Sequence, residues 1–183
     1  KAMSQLQLSK EEKEFLRVNC PYLSPLYLDF LEGYKYDPSE VKIAQNGDDL
    51  QVTVEGYWYR TILWEVPLLA VISELYYKMT GAIGWTDAQI EANTREKENF
   101  YKDWGVVFAE FGTRRRHSYH VHDIVMRTLM QGYNSSFIGS SNVHFAMKYK
   151  VKPIGTHAHE WFMFHAAEYS YKMSNALSLE HWV

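Results

Sequence analysis

The stretch "VVFAEFGTRRRHSYHVHDIVMRTLMQG", Val106–Gly132, runs from a short apolar segment through a polar, Gly-containing turn into a helical pattern. The order then repeats. "SSFIGSS" precedes the helix pattern "NVHFAMKYK", and "VKPIGT" precedes the helix pattern "EWFMFHAAEYSYKM". Three strand–helix units in a row predict a parallel sheet or a piece of a β/α barrel. In that architecture chemistry gathers where each strand's C-terminal end meets the next loop. The three strand ends here read "FGTRRR", "IGSSN" and "IGTHAH". Each contains a glycine, and each turns polar just beyond it.

Upstream the pattern differs. Ser9 with Glu12 predicts a capping box opening a helix to about Val18, and Ser24-Pro25 opens another in "PLYLDFLEGYKY". "VKIAQNGDDLQVTVEGYW" predicts a hairpin turning at Asn46-Gly47-Asp48. "TILWEVPLLAVISELYYKMTG" predicts a nearly all-apolar, deeply buried helix stopped by Gly81. Thr86 with Gln89 opens a charged, exposed helix to about Asp103. Two units are expected, residues 1–104 and 105–183.

Composition narrows the function. The 183 residues are 46% hydrophobic and 16% aromatic, which predicts a packed core. A net charge of −3 excludes general affinity for nucleic acid or anionic membrane. The longest apolar run, "VPLLAVI", is too short to span a bilayer. A single cysteine, Cys20, forms no internal disulfide and fits a reducing, cytoplasmic setting. The first residues lack a signal core, and both ends read as cuts inside a longer protein.

Arginines at 114, 115 and 116 form a dense anion-binding device, or a solvated basic turn. On extended chain Arg114 and Arg116 would point one way and Arg115 the other. Phe111 could pack in the core or lie flat on a planar ligand ring. Gly139 would let a ligand approach the backbone. Ser140, Ser141 and the next helix N-terminus offer donors to an anion, or merely cap that helix. His157 and His159, as His-x-His on extended chain, have three readings. They could hold zinc with help from His117, His120, His122 or His165, stand beside a helix cap, or include a nucleophilic imidazole.

"FAEFGTRRR", "FIGSSNVHFA" and "GTHAHEWF", in this order and with "ILWEVPLLAVISEL" upstream, closely resemble the nicotinate phosphoribosyltransferase family, bacterial form. The resemblance covers essentially the whole chain. It implies part of an N-terminal α/β domain followed by the first strand–helix units of a type II phosphoribosyltransferase β/α barrel. It implies transfer of phosphoribose from 5-phosphoribosyl 1-diphosphate to nicotinate in NAD biosynthesis, coupled to ATP hydrolysis through a phosphohistidine. That histidine would be His159, with Phe111 stacking on the ring and Arg114 near the substrate carboxylate and phosphoribosyl group. Arg116 is taken as a second substrate-binding arginine. Ser140 and Ser141 would floor the base site, where nicotinamide-using relatives place an aspartate. An aspartate would repel nicotinate, so the serines favour the acid.

The family's Asp-x-Asp-x-Tyr-Lys type motif and its later half are missing. Mg²⁺ and most diphosphate-sugar contacts are therefore expected elsewhere, in the remainder of the enzyme or a homodimer. The chain alone is expected to be inactive. Competing readings are a nicotinamide-using relative and a silent metal- or ligand-binding fragment.

Overall fold

The computed structural model describes residues 2–82 and 84–182. Two helices open the chain, α1 (Lys10–Asn19) and α2 (Pro25–Gly33). The Ser9–Glu12 capping box forms as the sequence requires, and the Ser24 side chain caps α2. Leu16, Cys20 and Leu28 bury one face of each helix against the other. The hairpin follows, with β1 (Val41–Asn46) antiparallel to β2 (Asp49–Val54). Gly47, at φ 61°, supplies the left-handed backbone its turn needs.

A short helix α3 (Trp58–Thr61) leads into α4 (Glu65–Thr80), which ends on Gly81 at φ 65°. The predicted helix is present, but it is not deeply buried. Among its described residues only Ala70 is fully covered, while Leu75 is 49% and Met79 83% exposed. The cause lies in composition. A helix apolar nearly all round needs neighbours on every side, and this chain supplies them on one. The next helix, α5 (Asp87–Asp103), opens on the Thr86–Gln89 capping box. It is less exposed than its charge suggests, because Ile90, Thr94 and Glu98 face inward where it packs on α6 (Tyr119–Leu129).

The strand–helix units begin with β3 (Phe108–Glu110), parallel to β4 (Phe137–Ser140), which is followed by α7 (Val143–Tyr149). Met126, Leu129, Phe137, Phe145, Ala146 and Val151 make the main core, with Phe15 of α1 packed against it. So α1 ties the leading helices to the strand–helix units. The third predicted strand is reduced to a bridge between Pro153 and Ser140. Two hydrogen bonds flank it, Ser140 N to Lys152 O at 3.1 Å and Ile154 N to Ser140 O at 3.0 Å. Pro153 has no N–H for a strand on its other side.

The third predicted helix is two helices, α8 (His159–Tyr169) and α9 (Tyr171–Glu180). Ser170, at φ 72°, breaks them apart. The break lets α9 fold back on α8, where the Trp161 indole donates to Ser178 O at 2.9 Å. The buried His165 ring also lies 3.0 Å from His181, Nε2 to Nδ1.

Candidate active site

The segment after β3 is a turn, not extended chain. Thr113–Arg115 forms one turn of 3₁₀-helix, so the alternation expected of the three arginines does not hold. Helix α4 braces this turn. Glu65 pairs with the Arg114 guanidinium. Ser73 donates to Arg116 O at 2.8 Å, and Glu74 accepts from Tyr119 N at 2.9 Å. The Arg116 guanidinium carbon sits 5.5 Å from the Tyr119 ring centre. Its Nε is buried, with no hydrogen-bond partner among the described residues. Arg115 is exposed, and so is Phe111, at 51%, with its ring free of the core.

Beneath the turn lies a residue the sequence reading passed over. Glu110 is buried at the end of β3. Its carboxylate accepts from Gly112 N, and from the Ser140 hydroxyl at 2.6 Å. His122 of α6, also buried, brings Nε2 within 2.9 Å of the same carboxylate. Burial alone would push the Glu110 carboxyl up. The His122 ring and the donors on Ser140 and Gly112 outweigh it and hold the group below the usual carboxylate range. The available signal was an acid inside an apolar strand, "VVFAEFG", which is costly unless partnered.

At the end of β4 the two serines part company. Ser140 is fully buried, its hydroxyl held by Glu110 and by Asn142 N at 3.0 Å. Ser141 is partly exposed, and its N–H donates to Glu110 O at 2.8 Å. Asn142 caps α7 through Phe145 N, and its side chain reaches Thr113 Oγ1 at 3.0 Å. This second bond links the serine segment to the arginine turn. Gly139, at φ 152°, admits a close approach, but the backbone it admits is the protein's own. A Cβ there would lie 2.1 Å from Lys152 O.

His159 is the first residue of α8, whereas His157 precedes the helix. The two rings therefore do not share one extended face. The His157 ring packs edge-on to Trp182 with centres 4.4 Å apart. Of the other histidines weighed as zinc ligands, His117 stacks on Tyr77, His120 contacts Asp87, and His122 and His165 are buried in the contacts already given. Among the described residues no three His, Cys, Asp or Glu side chains gather to hold a metal ion.

His159 lines a cavity of about 560 Å³, whose walls include Val54, Ile62, Glu65, Leu69 and Met163. Glu65, the partner of Arg114, is one of these wall residues. The start of α8 is fixed there by Trp58, whose indole donates to Glu160 at 2.6 Å. A larger cavity, about 630 Å³, lies between α5 and α6. It does not touch His159, so the smaller one is the candidate site, although Phe111, Arg114, Arg116, Ser140 and Ser141 are not among its wall residues.

Parallel strand–helix units, with basic and hydroxyl-bearing strand ends, follow a helix-and-hairpin portion. This is an α/β protein carrying part of an N-terminal domain and the start of a type II phosphoribosyltransferase barrel. The model of the nicotinate phosphoribosyltransferase (NAPRTase) N-terminal domain matches residues 1–73, and that of the NAPRTase family matches residues 106–183. A nicotinate phosphoribosyltransferase of Chromohalobacter salexigens is 59% identical over 182 residues, covering 100% of this chain and 47% of its own length. One of Desulforapulum autotrophicum is 45% identical, covering 98% of this chain and 46% of its own. The crystal structure of nicotinate phosphoribosyltransferase from Porphyromonas gingivalis superposes with a TM-score of 0.92 at 45% identity, over 99% of this chain and 46% of its own. The chain belongs to the nicotinate phosphoribosyltransferase family. It spans about half the length of the curated relatives it matches. Among its described residues no helix is long and apolar enough to cross a membrane.

Proposed function

We propose that this chain is part of a cytoplasmic nicotinate phosphoribosyltransferase and carries its base-recognition and phosphoryl-accepting elements. The observation that carries the reading is that Glu65, the partner of Arg114, and His159 line one cavity in a member of this family. The pyridine nitrogen of nicotinate attacks C1 of 5-phosphoribosyl 1-diphosphate, and diphosphate leaves with the bonding pair. The arginine turn compensates the anionic charge of the substrates. The buried, unpartnered Nε of Arg116 is a donor suited to that task. The exposed ring of Phe111 is free to stack on the base. Ser141 is the more accessible serine for the nicotinate carboxylate, with Ser140 fixing the strand end beneath it.

ATP enters through His159. A neutral ring nitrogen attacks the γ-phosphorus, ADP leaves, and water later takes the phosphoryl group as phosphate. The N-terminus of α8 favours that added charge, and Ala158 supplies no side-chain cap to compete for its amides. Mg²⁺, on the family resemblance, belongs to other parts of the enzyme or to a homodimer.

The test uses the full-length protein with nicotinate, nicotinamide, 5-phosphoribosyl 1-diphosphate and γ-labelled ATP. Nicotinate mononucleotide should form, with acid-labile label on the peptide holding His159. Ser141→Asp should depress nicotinate use more than nicotinamide use, since like charges would meet at the base site. Label on His157 or His165, or an unchanged base preference, would overturn the respective assignment.

A further inference from the structure

The buried pair of Glu110 and His122 touches no part of the candidate cavity, yet both the arginine turn and the serine strand end lean on it. The Glu110 carboxylate holds the arginine turn through Gly112 N and the serine strand end through the Ser140 hydroxyl. Its backbone carbonyl holds Ser141 N at 2.8 Å. His122 reaches it from α6 at 2.9 Å and packs edge-on to Phe145 of α7, ring centres 4.5 Å apart. A carboxylate in so apolar a place is costly, and a merely structural position could be filled by an apolar side chain at less cost. We propose that Glu110 and His122 are positioning residues for substrate recognition: their buried pair sets the arginine turn in register with the Ser141 strand end.

The proposal rests on the functional reading above, in which both segments face the anionic base. The physical basis is geometric. Oε1 receives Gly112 N and lies beside His122 Nε2, while Oε2 receives Ser140. Two segments from different strands thus share one rigid acceptor. Without the close approach of the His122 ring, the carboxylate is free to turn, and the two segments lose their common reference.

The experiment compares His122→Leu, His122→Gln and Glu110→Gln in the full-length protein. Nicotinate KM and kcat are measured alongside hydrogen exchange at the Gly112 and Ser141 amides. His122→Leu fills the space without a polar group, and it should raise nicotinate KM about ten-fold, the effect of one lost close polar contact to a buried carboxylate. Its kcat should change less than about two-fold, and both amides should exchange faster. His122→Gln can donate near the place of Nε2 and should recover most of the KM and the protection. If leucine serves as well as glutamine on both readouts, His122 only fills space and the proposal is overturned.

Should His122→Leu fail to fold, Glu110→Gln decides. It leaves one donor facing an amide NH₂, and a wild-type KM with full protection would overturn the proposal. A wild-type enzyme that does not turn over nicotinate would instead overturn the functional reading, and the exchange data would still judge the clamp.

Discussion

The indole N–H of Trp58 donates to the carboxylate of Glu160 at 2.6 Å, joining residues 102 positions apart. The Trp58 ring also rests against Phe164, centres 5.1 Å apart. The helix that begins with His159 is thereby seated on the segment that follows the hairpin. A double-mutant cycle of Trp58→Phe and Glu160→Gln in the full-length protein should give a coupling of about 1 kcal/mol in thermal unfolding. Trp58→Ala should cost more than Trp58→Phe, because the contact with Phe164 goes too. Additive effects of the two changes would show that the hydrogen bond contributes nothing to seating α8.

The arginines should differ for a reason unrelated to alternation. Arg114 is held by Glu65, which lines the cavity, while Arg115 is exposed on the same 3₁₀ turn. Arg114→Ala should raise the nicotinate KM roughly ten-fold or more, and Arg115→Ala by about two-fold at most. Steady-state kinetics on both variants checks it. A larger effect at Arg115 would mean that the turn presents a different face to substrate.

Gly139 should tolerate nothing larger. A Cβ would meet Lys152 O, which is backbone and unable to swing aside, at a φ of 152° that disfavours other residues. Gly139→Ala should cost about 2–4 kcal/mol. Gly47→Ala, with open space around the Cβ and φ at 61°, should cost about 1 kcal/mol. Thermal unfolding separates the two. Equal losses would show that the approach of residue 152 to β4 relaxes freely.

Acid should unfold the wild type partly through Glu110. Its folded-state carboxyl lies below the usual range, held there by His122, Ser140 and Gly112 against the opposing effect of burial. A depressed folded value means stability that is present above the unfolded value and lost as pH falls through the folded one. The loss should set in below roughly pH 4.3, the ordinary glutamate value. Glu110→Gln should be less stable at neutral pH and show a flatter decline below that point, read from unfolding midpoints against pH. Parallel acid limbs for the two proteins would remove Glu110 from the acid response.

Much of the local structure was legible in the sequence because its causes are local. A serine three residues before a glutamate caps α1, Asn-Gly turns the hairpin, and a glycine stops α4, each through contacts within a few residues. The strand–helix order, and with it the family, followed from the same short-range patterns together with motif order. Three outcomes depended on residues far apart. Composition predicts a buried α4, but burial depends on which surfaces meet it. The sequence pattern predicts one continuous third helix, yet Ser170 turns it so that Trp161 and His165 can pack on α9. Glu110 attracted no attention as one acid in a strand, since its meaning comes from Gly112, His122 and Ser140 converging on it. Periodicity and capping are set by neighbours in the chain. Burial, ion pairing and the seating of His159 on a shared cavity are set by neighbours in space, which only the tertiary fold selects.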